Sequence, residues 1–330
     1  MSFYRRRPDA LHSPVLGRLF DQAAFKFVDI GGRGKAFPGI LPLARYAHYY
    51  ASEPDQREAE RLEEELPRGA PWQAVTIINE AIATQAGPAA LYMTSSPGMS
   101  SLLEPDMVVA GRYSLGGNFA VRSVVSVPAV SLDAAAERYG FPDAAFLKMD
   151  TQGTELDILR SGERLVGGSL LGVHTEANFQ PFYKGQSLFA DLDSYLREQG
   201  FLLVSMNRTL LRRSGFQPEL YSRRVVAWSH CLYLREPETL ATLFDGEVLA
   251  RQLARLLGLT LAFAHYDLSF EIVAMATRLR LLPEPDLEPL AEEVTRVAAN
   301  GTAYMLRRAH ARGMTAEMLA SSFRDRKQLE

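Results

Sequence analysis

The chain has 330 residues, 47% of them apolar and 23% charged, an ordinary composition for a globular protein of one domain, or of one domain with a smaller companion. A single cysteine, Cys231, excludes an internal disulfide, and a net charge of −3 without a long basic stripe argues against a nucleic-acid partner. No apolar run approaches the ~18 residues of a membrane span, and no apolar stretch follows the N-terminal arginines. We therefore expect a cytoplasmic protein without a membrane span or a secretory signal.

Apolar runs alternate with helical patterns along the first part of the chain. After a polar lead-in over residues 1–24, which holds one short helix, this alternation is typical of βαβ units and a parallel sheet. Two strand patterns joined by a loop rich in Ser, Gly and Pro, with no helix between them, predict an inserted β-hairpin. The predicted strands are 25–30, 45–52, 74–78, 89–94 and 123–130, with a charged helix over 56–66.

The alternation resumes after the hairpin and then gives way to helices alone. Strands predicted over 145–150, 170–176, 201–206 and 225–234 complete a mostly parallel seven-stranded sheet. We therefore predict an α/β domain over 25–235 and an α-helical C-terminal extension over 236–330, which serves as ordinary core, as a homodimer contact or as a lid over the acceptor. The predicted helices are 132–139, 154–165, 188–199, 240–257, 259–282, 287–308 and 315–324.

The first strand ends in an aspartate and runs into a glycine cluster. Asp29 precedes Gly31, Gly32 and Gly34, and glycines let a ligand approach the backbone closely because they have no Cβ. The dinucleotide fingerprint G-x-G-x-x-G fails, since Phe37 falls where its third glycine would be, and this disfavours a nicotinamide oxidoreductase. An acid at this place suits the cationic amine of S-adenosylmethionine better than a diphosphate. A simple tight turn is the alternative.

Polar residues also follow the second and third strands. Glu53 stands where Rossmann-type domains place a ribose-binding acid, ~20 residues beyond the glycine loop, although it can equally be an acid at the start of a helix. Asn79 and the backbone near Ala81 can meet the edge of an adenine, or Asn79 can be a strand-end turn residue. In combination with the glycine cluster, these residues predict a nucleoside pocket.

Charged residues end the fourth and fifth strands of the sheet. Lys148 and Asp150 are two residues apart and share one face of a strand, as do His174 and Glu176. Charges at a buried strand end are costly unless they are paired or used, so either a structural Lys–Asp pair or a reaction site is expected. On neighbouring strands, Asp150 and Glu176 would form a carboxylate pair that can act as a base or bind a divalent metal. His174 can also be a core residue.

In this order the motifs resemble the FkbM family of methyltransferases. The matching text is FVDIGG, SEPD, NEAI, SSPGMSSLLEP, VSLD, FLKMDTQGTELDILRSG and HTEANFQPFYKGQSLFADLDSYLREQGF, over roughly residues 25–207. The resemblance implies a Rossmann-like class I methyltransferase fold with S-adenosylmethionine as donor. It also implies methylation of hydroxyls on sugars, glycolipids or natural products. Residues 236–330 fall outside it.

The resemblance assigns roles to these positions. Its donor side comprises Asp29, Gly31, Gly32, Gly34, Glu53, Asn79 and Ala81. It places Asp150 and Glu176 at the reaction face. We expect Asp150 to be the base or acceptor-orienting group, with Glu176, His174 and Lys148 in support, and we expect the acceptor to be bordered by Phe179, Tyr183 and Lys184. Many members read D-x-E-G where this chain has Gln152, which removes one carboxylate, so a bound metal is possible but not favoured.

Two alternatives stay open beside transfer of a methyl group to a small-molecule or glycan acceptor. One is Mg²⁺-assisted methyl transfer on the same fold, with Asp150 and Glu176 as the metal ligands. The other is a non-catalytic protein with a degenerate donor-binding domain, whose helical C-terminus mediates assembly. Loss of activity on addition of a chelator would indicate the first alternative. Absence of donor binding in calorimetry would indicate the second.

Overall fold

The computed structural model describes residues 11–219, 221–281 and 284–310, and it has the predicted α/β architecture. A seven-stranded sheet has the order β3-β2-β1-β7-β8-β10-β9, parallel from β3 to β8, with β10 antiparallel to both of its neighbours. The strands are β1 Phe25–Ile30, β2 Ala47–Ser52, β3 Ala74–Ile78, β4 Ala81–Ala83, β5 Gly87–Thr94, β6 Val121–Ser131, β7 Phe146–Met149, β8 Gly172–Asn178, β9 Phe201–Leu211 and β10 Val225–Arg235.

Helices cover both faces of this sheet. One face presents Phe25, Phe27, Phe146 and Leu232 to the N-terminal helix and the C-terminal helices, and the other packs against the helices between β6 and β9. The helices are α1 Pro14–Ala23, α2 Gln56–Gly69, α3 Met107–Ala110, α4 Leu132–Tyr139, α5 Glu155–Ser161, α6 Glu163–Gly167, α7 Phe189–Glu198, α8 Pro237–Leu243, α9 Gly246–Phe263, α10 Tyr266–Arg278 and α11 Glu284–His310. No helix in the described part of the chain has the length and apolarity needed to cross a bilayer.

The inserted hairpin is confirmed, and it belongs to a second, smaller sheet. β5 and β6 pair antiparallel, and β4 adds to the outer side of β6 in parallel, which gives the order β4-β6-β5. The sequence did not predict β4, because Ala81–Ala83 is too short to show a period. Ala81 therefore lies in a strand opposite Ala129 rather than in a loop.

Three predicted helices, over 154–165, 240–257 and 259–282, differ from those observed. The helix expected over 154–165 is divided at Gly162, where a Cβ would come within 3.0 Å of the Leu132 side chain. The C-terminal break expected before residue 259 falls instead at Ala264, which has φ 68° and ends α9. The helix predicted over 315–324 lies outside the described residues.

The C-terminal helix α9 fills a position in the layer that covers the sheet. A connection between parallel strands usually contains an α-helix, but β1 and β2 are joined through a 3₁₀ segment, Pro38–Tyr46. α9 packs over this segment, and Gly258 allows the approach because a Cβ there would come 2.7 Å from the Phe25 ring. The domain boundary at residue 235 and the homodimer contact through these helices stay predictions.

Candidate active site

A cavity of about 320 Å³ opens at the carboxyl ends of β1, β2 and β7. Its walls come from the glycine loop, from the residues that follow β2 and β7, and from a segment over 97–102 that lies across them. Gly31, Glu53, Ala81, Lys148 and Asp150, which the sequence singled out, all line it. The sheet thus brings together the three chain segments on which the predicted nucleoside pocket depends.

Gly31 is the tightest point of the glycine loop. It has φ 71°, and a Cβ there would come within 3.0 Å of the Asp150 carbonyl oxygen, so β1 and β7 leave room for no side chain. Gly32 packs against the Asp29 carboxyl group, whereas the Gly34 N–H donates to Glu58 Oε1 at 3.1 Å. Gly31 therefore lines the cavity, while Gly32 and Gly34 shape the loop from behind.

Asp29 is held inside the protein rather than in the cavity wall. Its carboxylate is 2% exposed, accepts a hydrogen bond from the Tyr49 hydroxyl at 2.5 Å and pairs with Lys148 Nζ at 2.9 Å. Lys148 also donates to the Gly31 carbonyl at 3.2 Å. Burial lowers the pKa of Lys148, but the Asp29 and Asp150 carboxylates outweigh burial and raise it. Lys148 therefore pairs with Asp29 of the neighbouring strand, whereas the structural pair expected from the sequence was with Asp150.

Glu53 presents a buried carboxylate to the cavity. Oε1 accepts a hydrogen bond from the Asp55 N–H at 2.9 Å, and Oε2 lies 3.9 Å from Arg33 Nε. Burial raises the pKa of Glu53, although the Asp55 N–H and Arg33 act in the opposite direction. Asn79 stands behind it and donates from Nδ2 to the Glu53 carbonyl at 2.9 Å. Asn79 thus braces the backbone of Glu53 and does not line the cavity.

An amide joins the two carboxylates at the ends of β7 and β8. Gln152 Nε2 donates to Asp150 Oδ1 at 2.8 Å and to Glu176 Oε1 at 3.2 Å, so the predicted carboxylate pair is bridged. Glu176 is 5% exposed, and burial together with Asp150 and Glu155 raises its pKa well above the ordinary value. Within the described residues, no group of three or more His, Cys, Asp and Glu side chains is placed to hold a metal ion.

Glu155 fixes the loop that carries this amide. Its two carboxylate oxygens accept the backbone N–H groups of Thr151 and Gly153, both at 2.9 Å. Gln152 between them has φ 59°, an unusual conformation for a side-chain-bearing residue. Burial raises the pKa of Glu155 to about 7, against the effect of these hydrogen bonds.

His174 lies on the same strand as Glu176 but outside the cavity wall. Its ring is 5% exposed and packs 4.2 Å from the Phe37 ring and 5.8 Å from the His230 ring. Burial, followed by His230 and Lys148, lowers the pKa of His174 well below its ordinary value. The His174 imidazole is therefore neutral and packed inside the protein.

The three candidate acceptor residues take different positions. The Tyr183 hydroxyl is buried, 2.8 Å from the Met99 carbonyl and 3.1 Å from Gln152 Oε1, and so meets the carboxylate cluster. Lys184 is exposed and pairs with Glu104 at 2.7 Å, and Phe179 stacks on Phe189 at 5.0 Å. Tyr183 joins the site, whereas Lys184 and Phe179 lie away from it.

Sequence reasoning missed several residues of the cavity. Arg33 lines it and pairs with Asp55 at 3.2 Å, and Ser101 donates to the Gln152 carbonyl at 2.8 Å. Leu91 and Met93 of the small sheet form an apolar wall. Arg33 could have been found from its place within the glycine cluster, and Ser101 from the small residues of its loop. Leu91 and Met93 could not, because nothing in the sequence shows that β5 faces the cavity.

The sheet order, the antiparallel β10 and a ligand cavity at the carboxyl edge define a class I methyltransferase fold. The family profile described as "Methyltransferase FkbM domain" matches residues 32–203, just over half of the chain. The chain belongs to this family, as its motifs indicated, and so to the S-adenosylmethionine-dependent methyltransferases. A comparison with curated proteins finds no match.

Solved structures with a similar arrangement are methyltransferases of distant sequence. A candidate tRNA methyltransferase of Streptococcus pneumoniae is 10% identical with a TM-score of 0.32, over 87% of this chain and 99% of that one. A S-adenosylmethionine-dependent methyltransferase of Agrobacterium tumefaciens is 10% identical with a TM-score of 0.31, over 70% and 63%. A candidate RNA methyltransferase of Pyrococcus horikoshii is 11% identical with a TM-score of 0.26, over 71% and 93%.

Proposed function

We propose that this chain transfers the methyl group of S-adenosylmethionine to a hydroxyl of a sugar, glycolipid or other small natural product in the cytoplasm. The observation that carries the proposal is the Asp150 carboxylate, which lines the donor cavity and is held by the Gln152 amide. A carboxylate in this position can orient an acceptor hydroxyl and take its proton.

The cavity suits the donor in shape and chemistry. The missing Cβ of Gly31 lets β1 pack closely against the backbone of Asp150 at the cavity wall, and Glu53 offers carboxylate oxygens to a ribose diol. Ile82, Leu91 and Met93 supply an apolar wall for an adenine ring. The volume of about 320 Å³ falls in the ordinary range for small-molecule sites.

The protein's part in the reaction is to orient the acceptor, to exclude water and to receive a proton. When bound, S-adenosylmethionine supplies a methyl group already activated by its sulfonium. Gln152 fixes Asp150 Oδ1, and Asp150 receives the acceptor proton as its hydroxyl reacts. The segment over 97–102 closes the cavity, tied down by the bonds from Ser101 to Gln152 and from Tyr183 to Met99.

The test is the rate of S-adenosylhomocysteine formation. Extracts screened with radiolabelled donor would first identify the acceptor. Asp150→Asn should then keep donor binding in calorimetry and lose about 10²- to 10⁴-fold in rate, the usual contribution of a general base. Glu53→Gln is the matched variant, since it should lose donor affinity instead. An unchanged rate in Asp150→Asn would remove this residue from the chemistry.

The same experiments decide between the two alternatives. A rate that falls on addition of a chelator would favour Mg²⁺-assisted transfer. A chain that binds no S-adenosylmethionine at all would favour a non-catalytic assembly protein.

A further inference from the structure

A group of arginines stands at the same edge of the sheet as the cavity, on its β9–β10 side. β10 runs antiparallel to β8, with Trp228 opposite Asn178, so the connection between β9 and β10 leaves the sheet beyond the carboxyl end of β8. Arginines flank this connection and a neighbouring loop. We call the group the arginine rim: Arg112, Arg212, Arg213, Arg223 and Arg224.

Backbone contacts hold the segments of the rim together. Ser114 N–H donates to the Arg212 carbonyl at 3.0 Å, and Ser214 N–H donates to the Arg112 carbonyl at 2.9 Å. Leu211 at the end of β9 pairs with Val225 at the start of β10. Arg212 directly follows β9, and Arg224 directly precedes β10. The side chains of Arg212 and Arg224 therefore start from neighbouring positions, where like charges disfavour the pairing of the two segments.

Five positive charges lie close together in the rim. Among the ion pairs of the described residues none involves a rim arginine. Glu219, within the connection, takes part in none of them either. A local excess of positive charge in a chain of net charge −3 suits an external anion.

Aromatic rings support the rim and link it to the reaction side. Arg212 lies 3.7 Å from the centre of the Phe216 ring, and Arg213 lies 4.9 Å from that of Tyr113. Tyr113 packs on Phe182 at 5.4 Å, and Tyr183, the next residue, meets Gln152 between Asp150 and Glu176. The rim is thus connected to the carboxylates through the aromatic side chains of Tyr113, Phe182 and Tyr183, and its residues are absent from the donor cavity wall.

We propose that the arginine rim binds an oxyanion, a phosphate or a sulfate, carried by the acceptor at a distance from the hydroxyl that is methylated. This inference rests on the proposed function and gives its acceptor a chemical class. Paired guanidinium groups bind such oxyanions through parallel hydrogen bonds. A short rim on an otherwise acidic chain suits one or two oxyanions better than a nucleic-acid backbone, which needs a longer basic track.

The experiment is calorimetric titration of the full-length protein with pyrophosphate and with a sulfated disaccharide. Arg212→Gln/Arg224→Gln should weaken the binding of the preferred probe at least about tenfold, because two charge-assisted contacts are lost. Arg57→Gln/Arg160→Gln, which changes two exposed arginines outside the rim, should bind like the unmodified protein. Urea unfolding verifies that both variants are folded.

Each result has one meaning for the rim. Binding of either probe that depends on Arg212 and Arg224 supports the proposal, and the tighter probe identifies the oxyanion. Absence of binding, or equal binding by both double variants, overturns it. Tighter rim-dependent binding of an RNA oligonucleotide than of either probe also overturns it, in favour of a nucleic-acid acceptor. A parallel titration with S-adenosylmethionine reports separately on the donor site, so failure of the proposed function would show there.

Discussion

Gln152 occupies the place where a cation would bridge Asp150 and Glu176. Its amide nitrogen contacts both carboxylates, and its amide oxygen lies near the Tyr183 hydroxyl, so every polar atom of the side chain faces a suitable partner. Because an amide satisfies the two carboxylates with N–H groups, no metal is needed to keep them together. The D-x-E-G pattern common in the family would place a third carboxylate here instead.

Gln152→Glu should therefore create affinity for a divalent cation. Three carboxylates, at 150, 152 and 176, would converge on one point and supply the oxygen ligands that Mn²⁺ and Mg²⁺ prefer. We expect Mn²⁺ to bind the variant at least about tenfold more tightly than the unmodified protein, measured by calorimetry. Addition of Asp150→Asn to the variant should remove the gain. Equal Mn²⁺ affinity of the variant and the unmodified protein would contradict this account of Gln152.

The sequence predicts which residues reach the site better than it predicts what each one does there. Strand ends and spacing were enough to bring Gly31, Glu53 and Asp150 to one cavity. They could not show that Asp29 is buried against Tyr49, because this hydrogen bond joins two neighbouring strands and depends on their register. For the same reason the sequence does not show that His174 packs against Phe37, a contact between a loop and a strand.

At the scale of elements, the turn between β7 and α5 depends on one buried acid. Glu155, the first residue of α5, accepts both N–H groups that flank Gln152 and so sets the conformation that aims the amide. The pKa of Glu155 is about 7 in the folded protein, above the ordinary value of 4.5. Between these two pH values the folded protein keeps a proton on Glu155 that the unfolded chain has released.

The free energy of unfolding should accordingly fall as the pH rises from about 4.5 to about 7, by at most about 1.4 kcal/mol per pH unit from this group, and then level off. Glu155→Gln removes the titration but keeps one acceptor. The stability of the unmodified protein relative to this variant should therefore fall across that window, measured by urea unfolding at several pH values. Glu176 titrates in both proteins, but its pKa is less raised in the variant, because the Glu155 charge that helps to raise it is absent there. A difference independent of pH would show that Glu155 does not titrate in this range.

Elements with a clear period were predicted, and those set by tertiary contacts were not. The helix α4 and the strand β3 have the predicted bounds, because their patterns are local. The division between α5 and α6 follows from Leu132 filling the space beside Gly162, and β4 exists because β6 offers it a free edge. Neither contact leaves a periodic signal in the sequence.

Across the whole molecule, the C-terminal helices continue the fold. α9 covers the sheet where the β1–β2 connection provides only a 3₁₀ segment, and its residues share one core with Phe25, Phe27 and Phe146. The matched family region, 32–203, ends before α9 begins, so on this face of the sheet it supplies α2 and the 3₁₀ segment but not the helix that covers Phe25. We infer that the C-terminal helices and the sheet unfold together.

Arg255 of α9 provides the test of this inference. Its guanidinium is 2% exposed and donates to the carbonyls of Ala23, Ala24 and Asp143 at 2.7, 2.9 and 3.0 Å, so it ties α9 to the chain just before β1. Arg255→Ala should leave these carbonyls without a donor and lower the free energy of unfolding by about 3 kcal/mol. Arg251→Ala, at an exposed position one turn earlier, should change it by less than about 0.5 kcal/mol. Unfolding followed by circular dichroism should stay a single transition in both variants. If Arg255→Ala instead separated an early loss of helix from a later loss of the sheet, the C-terminal helices would be an independent unit.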